Sequence, residues 1–183
     1  MTGVVLLRNR VRGQSATFQD VLSRAAAGQG EGAVRPAHVL LTLLDTPACG
    51  AARGLRTLGP PVDLLADLVR AASAPPAQLP VAPAAGPDRE IRLVRGSRRP
   101  GAPVPRTVLH LRVDDPLFHS INLAWLYGHR WRSRLLGTPH LLVGMAQQPT
   151  TEVYRAVRLW GLDVDDLTAR IAEQVRQGAL DEG

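Results

Sequence analysis

Shifted by 102 residues, the chain aligns with itself without a gap over two long stretches. His38 falls on His140, Leu40 on Leu142 and Pro47 on Pro149. Arg53, Arg56 and Gly59 fall on Arg155, Arg158 and Gly161, and Val62, Asp63 and Leu65 fall on Val164, Asp165 and Leu167. The differences between these identities are mostly conservative, as in Val39/Leu141, Leu43/Met145 and Val69/Ile171. Self-similarity of this kind marks a duplicated supersecondary unit whose copies bury their apolar faces on each other.

Each copy reads as four helices. In the first, Thr17 is placed to cap a helix over residues 18–27, and the run Gly28-Gln29-Gly30-Glu31-Gly32 breaks it. Pro36 suits the first turn of a second helix reaching residue 44, and Pro47 lies past its end. A third helix over residues 51–58 is closed by Gly59 as a left-handed cap. Val62, Leu65, Leu68 and Val69 then share one face of a fourth. In the second copy, Asp115-Pro116 opens a helix predicted to reach about residue 134, Thr138-Pro139 opens the next, and Gln148-Pro149 ends it. Residues 151–160 precede Gly161, and Asp163 opens a helix in which Leu167, Ile171 and Val175 share a face.

The predicted layout is therefore an N-terminal extension (1–16), a first repeat (17–73), a connection (74–114), a second repeat (115–177) and a short tail (178–183). The connection begins rich in Pro and Ala, as an extended linker does. Leu109, Leu111 and Val113 then alternate with His110 and Arg112, a period of two. With the β-prone residues 90–95 this reads as a short hairpin, turning within residues 96–105; a basic loop is the competing reading.

Aromatic residues make up only 4% of the chain, so its core must come from Leu, Val and Ala. The net charge is +6, and all the basic residues are arginines, a pattern that codon bias explains first. No apolar run nears the ~20 residues of a membrane span. The apolar start, Val4-Val5-Leu6-Leu7, is too short for a signal peptide. Cys49 is the only cysteine and cannot form an internal disulfide. These points favour a cytoplasmic protein.

Catalytic signals are weak. His38 and His140 each stand at the start of an apolar helix, where a ring bonded to nearby backbone is the better reading than a base or metal ligand. No Cys, His and carboxylate cluster has metal spacing, and no cofactor is implied. Ser15, Ser23, Ser120 and Ser133 lack a G-x-S-x-G context. The glycine run at residues 28–32 lacks the strand and lysine of a phosphate loop. Arg130, Trp131, Arg132 and Arg134, beside Trp125 and Tyr127, read as a solvated face beside core aromatics. Arg89, Arg92, Arg95, Arg98, Arg99 and Arg106 form the densest basic surface, suited to an acidic protein or a nucleic acid.

The stretches Arg35-Pro36-Ala37-His38-Val39-Leu40-Leu41-Thr42-Leu43-Leu44 and Gly137-Thr138-Pro139-His140-Leu141-Leu142-Val143-Gly144-Met145 resemble the duplicated signature of the Clp N-terminal (Clp repeat) domain family. So do Leu55-Arg56-Thr57-Leu58-Gly59 and Val157-Arg158-Leu159-Trp160-Gly161. The resemblance covers residues 17–73 and 115–177. It implies an all-α bundle of two pseudo-twofold-related four-helix repeats, which recruits substrates and adaptors to Hsp100 unfoldases of the ClpA, ClpB and ClpC types and does no catalysis. The sequence holds no G-x-x-x-x-G-K-[ST] loop, so the expectation is a stand-alone module acting as adaptor, regulator or decoy in bacterial proteolysis. Its expected partners are proteins or peptides, including the unfoldase itself, with cyclic-peptide antibiotics as a further ligand class and no membrane. In ClpC-type members a glutamate precedes each signature histidine and helps bind phosphoarginine. Here those positions are Ala37 and Pro139, so that reading is not expected. Leu111, Val113 and Phe118 are the expected groove residues, with Arg92, Arg95, Arg98 and Arg99 as a steering rim. The alternative is a nucleic-acid-binding regulator using the arginine-rich insertion.

Overall fold

The computed structural model describes residues 13–73, 88–95 and 107–182. Among these lie eight helices and one two-stranded sheet, so apart from a hairpin the fold is all-α. The first quartet is α1 (Ala16–Ala27), α2 (Pro36–Leu44), α3 (Gly50–Arg56) and α4 (Val62–Ser73). The second is α5 (Asp115–Arg130), α6 (Thr138–Ala146), α7 (Glu152–Leu159) and α8 (Val164–Arg176). The helices α6, α7 and α8 start 102 residues after α2, α3 and α4, as the alignment requires (138 against 36, 152 against 50, 164 against 62).

Local chemistry sets most boundaries. Proline stands in the first turn of α2 and α6, where the missing N–H has no helical partner anyway. The caps of the leading helices differ from expectation by one or two residues. Ser15, not Thr17, caps α1 by accepting from the Phe18 amide (3.0 Å). Asp114, not Asp115, caps α5 by accepting from the Leu117 amide (2.8 Å). Either side chain was available at each head; the one in extended backbone just outside the helix reaches the free amides. Thr138 lies inside α6, behind Gly137, and its hydroxyl faces other partners.

Helix α5 stops at Arg130, short of the predicted residue 134. Arg132 adopts φ 59°, and Ser133 donates back to the Gly128 carbonyl (2.9 Å). That is a Schellman turn built without glycine, so no sequence signal marked it. Helix α7 ends in the same motif by the usual means: Gly161 sits at φ 91°, and Leu162 donates to the Val157 carbonyl (3.3 Å). Gly59 is also left-handed, at φ 118°, but α3 has already ended at Arg56 with Thr57 as its cap.

The core is built of Leu, Val and Ala from all eight helices, with Phe18 the single aromatic among the largest fully buried side chains. Helices α5 and α6 lie closest, because Gly144 has no side chain: a Cβ there would sit 2.2 Å from the Ser120 carbonyl oxygen. The connection forms the hairpin, β1 (Arg89–Arg95) antiparallel to β2 (Thr107–Val113), in the register Ile91–Leu111 and Arg92–His110.

Two short parallel bridges join the quartets reciprocally. Val34, ahead of α2, pairs with the segment ahead of α5: its amide donates to Arg112 O (2.8 Å), and Asp114 N–H donates to Val34 O (3.1 Å). Leu136, ahead of α6, pairs with the segment ahead of α1: Ser15 N–H donates to Leu136 O (2.8 Å), and Leu136 N–H to Gly13 O (2.9 Å). No helix among the described residues is long and apolar enough to cross a membrane.

Candidate binding site at the helix heads

The bridges bring helix N-termini together in two polar corners. A helix head carries free N–H groups and a positive dipole end, so it recruits acceptors. In the first corner the heads of α1, α3 and α6 converge on the carboxylate of Glu182. One oxygen accepts from the Gly50 amide (2.6 Å) and the Thr138 hydroxyl; the other accepts from the Thr138 amide (2.8 Å) and the Ser15 hydroxyl (2.8 Å). The Thr138 hydroxyl also accepts from the Ala51 amide (3.0 Å). Ser15 and Thr138 are buried, so these bonds replace ones that water cannot make.

The second corner joins the heads of α2, α5 and α7, and its chemistry is reversed. Arg35 donates to Glu152 (2.9 Å) and lies 3.8 Å from Asp114. Both carboxylates are buried, whereas Arg35 is half exposed. Burial pushes the Asp114 pKa up to about 6; the Leu117 amide and Arg35 oppose this, and the neighbouring charges of Glu152 and Asp88 reinforce it.

Both signature histidines serve the backbone. Nδ1 of His38 accepts from the Arg35 amide (3.2 Å), and Nδ1 of His140 from the Gly137 amide (3.1 Å). That bond fixes the His140 tautomer: Nε2 carries the proton and donates it to Ser133 Oγ at 2.7 Å. Trp131 covers the ring, centroids 5.1 Å apart. Burial pushes the His140 pKa down to about 4, and it lowers that of His38 as well, with Arg35 adding to the effect. Ala37 and Pro139 are buried beside them. Cys49 caps α3, as Thr151 caps α7 at the corresponding position; burial raises the pKa of its thiol.

The expected groove residues take other places. Leu111 and Val113 are 4% and 0% exposed and belong to the core, so neither lines an open surface. The Val34 bridge fastens the end of β2 to the helices and turns this face of the hairpin inward. Phe118 is half buried, with the Arg89 guanidinium 4.7 Å over its ring. Arg92 and Arg95 occupy β1 opposite His110 and Thr107. Arg98 and Arg99 lie outside the described residues. Trp125, Tyr127 and Trp131 pack partly buried on the core, while Arg130, Arg132 and Arg134 are exposed.

The corner residues Ser15, Arg35, Asp114, Glu152 and Glu182 were not among the sequence-derived candidates. In the sequence Ser15 reads as a serine without a nucleophile motif, and Glu182 falls in the short C-terminal tail. The one available clue was that the alignment sets Glu152 against Gly50 and Pro36 against Thr138, a change of chemistry amid conserved packing. An open cleft of about 590 Å³ also lies between α2 and α4, lined by Leu44, Asp45, Pro60, Val62 and Asp67. Among the described residues no three His, Cys, Asp or Glu side chains group as a metal site. No protein-family model matches the chain, and no curated protein matches it.

Proposed function

We propose that this chain is a non-catalytic protein- or peptide-binding module of the Clp N-domain kind. In this reading it is two four-helix repeats about an approximate twofold axis, acting in Clp-type proteolysis as an adaptor, regulator or decoy. The observation that carries the proposal is the reciprocity of the two bridges, Val34 with Val113 and Leu136 with Gln14. A twofold relation requires such exchange, because a contact from one copy to the other must return in the opposite sense. The duplicated signature supplies the link to unfoldase recruitment. Arg35, half exposed over the second corner, is the place for a partner's acidic group to engage.

The nucleic-acid alternative is weaker. Arg89 and Arg112 of the insertion are already engaged by Asp115 (2.6 Å) and Asp88 (2.7 Å), which lowers their availability for phosphates. A pull-down from native cytoplasm, scored by mass spectrometry for an Hsp100 unfoldase and its protease, tests the proposal. It is followed by titration of the purified unfoldase at 50 and 200 mM salt. Recovery of the unfoldase with modest salt dependence is expected. Recovery of nucleic acid alone, with binding that collapses at the higher salt, would overturn the proposal.

A further inference from the structure

Residues 177–182 do not trail away from α8. Gly178, at φ 73°, reverses the chain, and the amides of Gly178 and Ala179 close back on the Val175 and Gln174 carbonyls (3.1 and 3.0 Å). The reversal lays the segment along α3. Leu180 is 5% exposed, and Arg53 donates to the Asp181 carbonyl (3.1 Å). The surface beneath is shaped to receive it. A Cβ at Gly50 would lie 2.7 Å from the Leu180 carbonyl oxygen, 2.8 Å from Pro139 Cγ and 3.1 Å from a Glu182 carboxylate oxygen; one at Gly54 would meet Ile171 of α8 first, at 2.6 Å, and Leu180 Cδ1 at 3.2 Å. The strap ends with Glu182 in the four-donor corner.

We propose that residues 178–182 are an intramolecular latch. The Glu182 carboxylate clips the heads of α1, α3 and α6 together, and the latch opens as a local event while the rest of the bundle stays folded. Three observations carry this. The carboxylate joins points far apart in the chain: Ser15, Gly50 and Thr138 lie 167, 132 and 44 residues from it. Its donors are helix-head amides and buried hydroxyls, so they lose their acceptor when it leaves. Residues 176–179 and 181 are exposed, and within the strap Leu180 supplies the buried apolar contact. Opening therefore breaks the contacts of Leu180, Asp181 and Glu182 and leaves those among the helices in place, as local openings do. The second corner differs here: its acceptors, Asp114 and Glu152, stand at the heads of α5 and α7, so their backbone is held by the helices. The inference does not depend on the partner proposed above.

Amide hydrogen exchange of the full chain, read residue by residue by NMR, tests it. In Glu182→Ala the amides of Gly50 and Thr138 should exchange at least about 10-fold faster, while those in the middle of α5 keep their rates. Glu182→Gln, which keeps the shape and one acceptor, should fall between Glu182→Ala and wild type. In wild type, exchange at Gly50 and Thr138 should respond little to low urea, whereas core amides respond steeply. Unchanged rates at these two amides would overturn the latch. Uniform acceleration across the chain would overturn it too, and so would wild-type Gly50 and Thr138 amides with the full urea response of global unfolding.

Discussion

Replacing Gly144 by alanine sets helix propensity directly against packing. Alanine in a helix interior is favoured over glycine by about 1 kcal/mol, so the sequence alone predicts a stabilised variant. The structure predicts the opposite. The new Cβ would lie 2.2 Å from Ser120 O and 2.9 Å from Ala124 N, both backbone atoms of α5. Neither can move by a rotamer change, so α5 and α6 must separate by roughly an ångström to restore ordinary contact. Overpacking of this sort typically costs about 1–3 kcal/mol, and backbone against backbone belongs at the upper end. Subtracting the propensity gain leaves a net loss of about 2 kcal/mol. For a chain of this size that lowers Tm by about 4–8 °C. Thermal unfolding followed by circular dichroism measures it, with Gly28→Ala as the control. At Gly28 the backbone is right-handed and the nearest neighbours of an added Cβ, the Ala25 and Arg24 carbonyl oxygens, are 3.7 Å away, so no loss is expected. A Gly144→Ala variant as stable as wild type would refute the close approach of α5 and α6.

Asp114 has a folded pKa of about 6, above its usual 3.8, so the fold binds its proton more tightly than the unfolded chain does. Its contribution is fully present below about pH 4 and is lost as pH rises through 6. Asp114→Asn, which keeps the cap, should therefore gain on wild type in urea midpoint from pH 4 to pH 7. His140 runs the other way. Its folded pKa of about 4 lies below the usual 6.5, so its contribution is present above pH 6.5 and is lost as pH falls toward 4. His140→Asn should flatten the acid side of the stability profile, and Asp114→Asn should steepen it, both read from urea midpoints between pH 4 and 7. Thr138→Val strips the acceptor from the buried Ala51 amide and a donor from Glu182. A loss of about 1–3 kcal/mol is expected, seen as a lower denaturation midpoint with an unchanged m-value.

The helices were legible because their punctuation is local. Pro36 and Pro139 start α2 and α6, Gly161 ends α7, and Asp163 caps α8 through its own neighbouring amides at 2.8 and 3.3 Å. The hairpin was legible through its period of two. What escaped was long-range or glycine-free. Arg132 ends α5 in a left-handed turn that sequence ordinarily assigns to Gly or Asn. Leu111 and Val113 showed an apolar face, but nothing local says whether that face meets solvent or helices. The Glu182 corner depends on separations of up to 167 residues; the alignment marks a change of chemistry at Gly50 and Thr138 but does not point to Glu182, which lies outside the aligned repeats.

The two corners show how one backbone arrangement admits opposite polar solutions. At the head of α6, Thr138 offers both an amide and a hydroxyl, so the first corner is donor-rich and requires an acceptor from elsewhere. At the matching place on α2 stands Pro36, which has neither an N–H nor a hydroxyl, and that corner has two fewer donors to satisfy. There the acceptor arrives on α7 itself, where Glu152 stands against Gly50, and the donor is the long side chain of Arg35. Moving either acceptor alone into the other corner would leave a buried carboxylate or a set of helix-head amides without partners, at a cost well above that of an exposed ion pair. Each corner therefore fixes its polar residues as a set, and the asymmetry between them follows from Pro36 standing where Thr138 supplies an amide and a hydroxyl, and from Glu152 standing where α3 has Gly50.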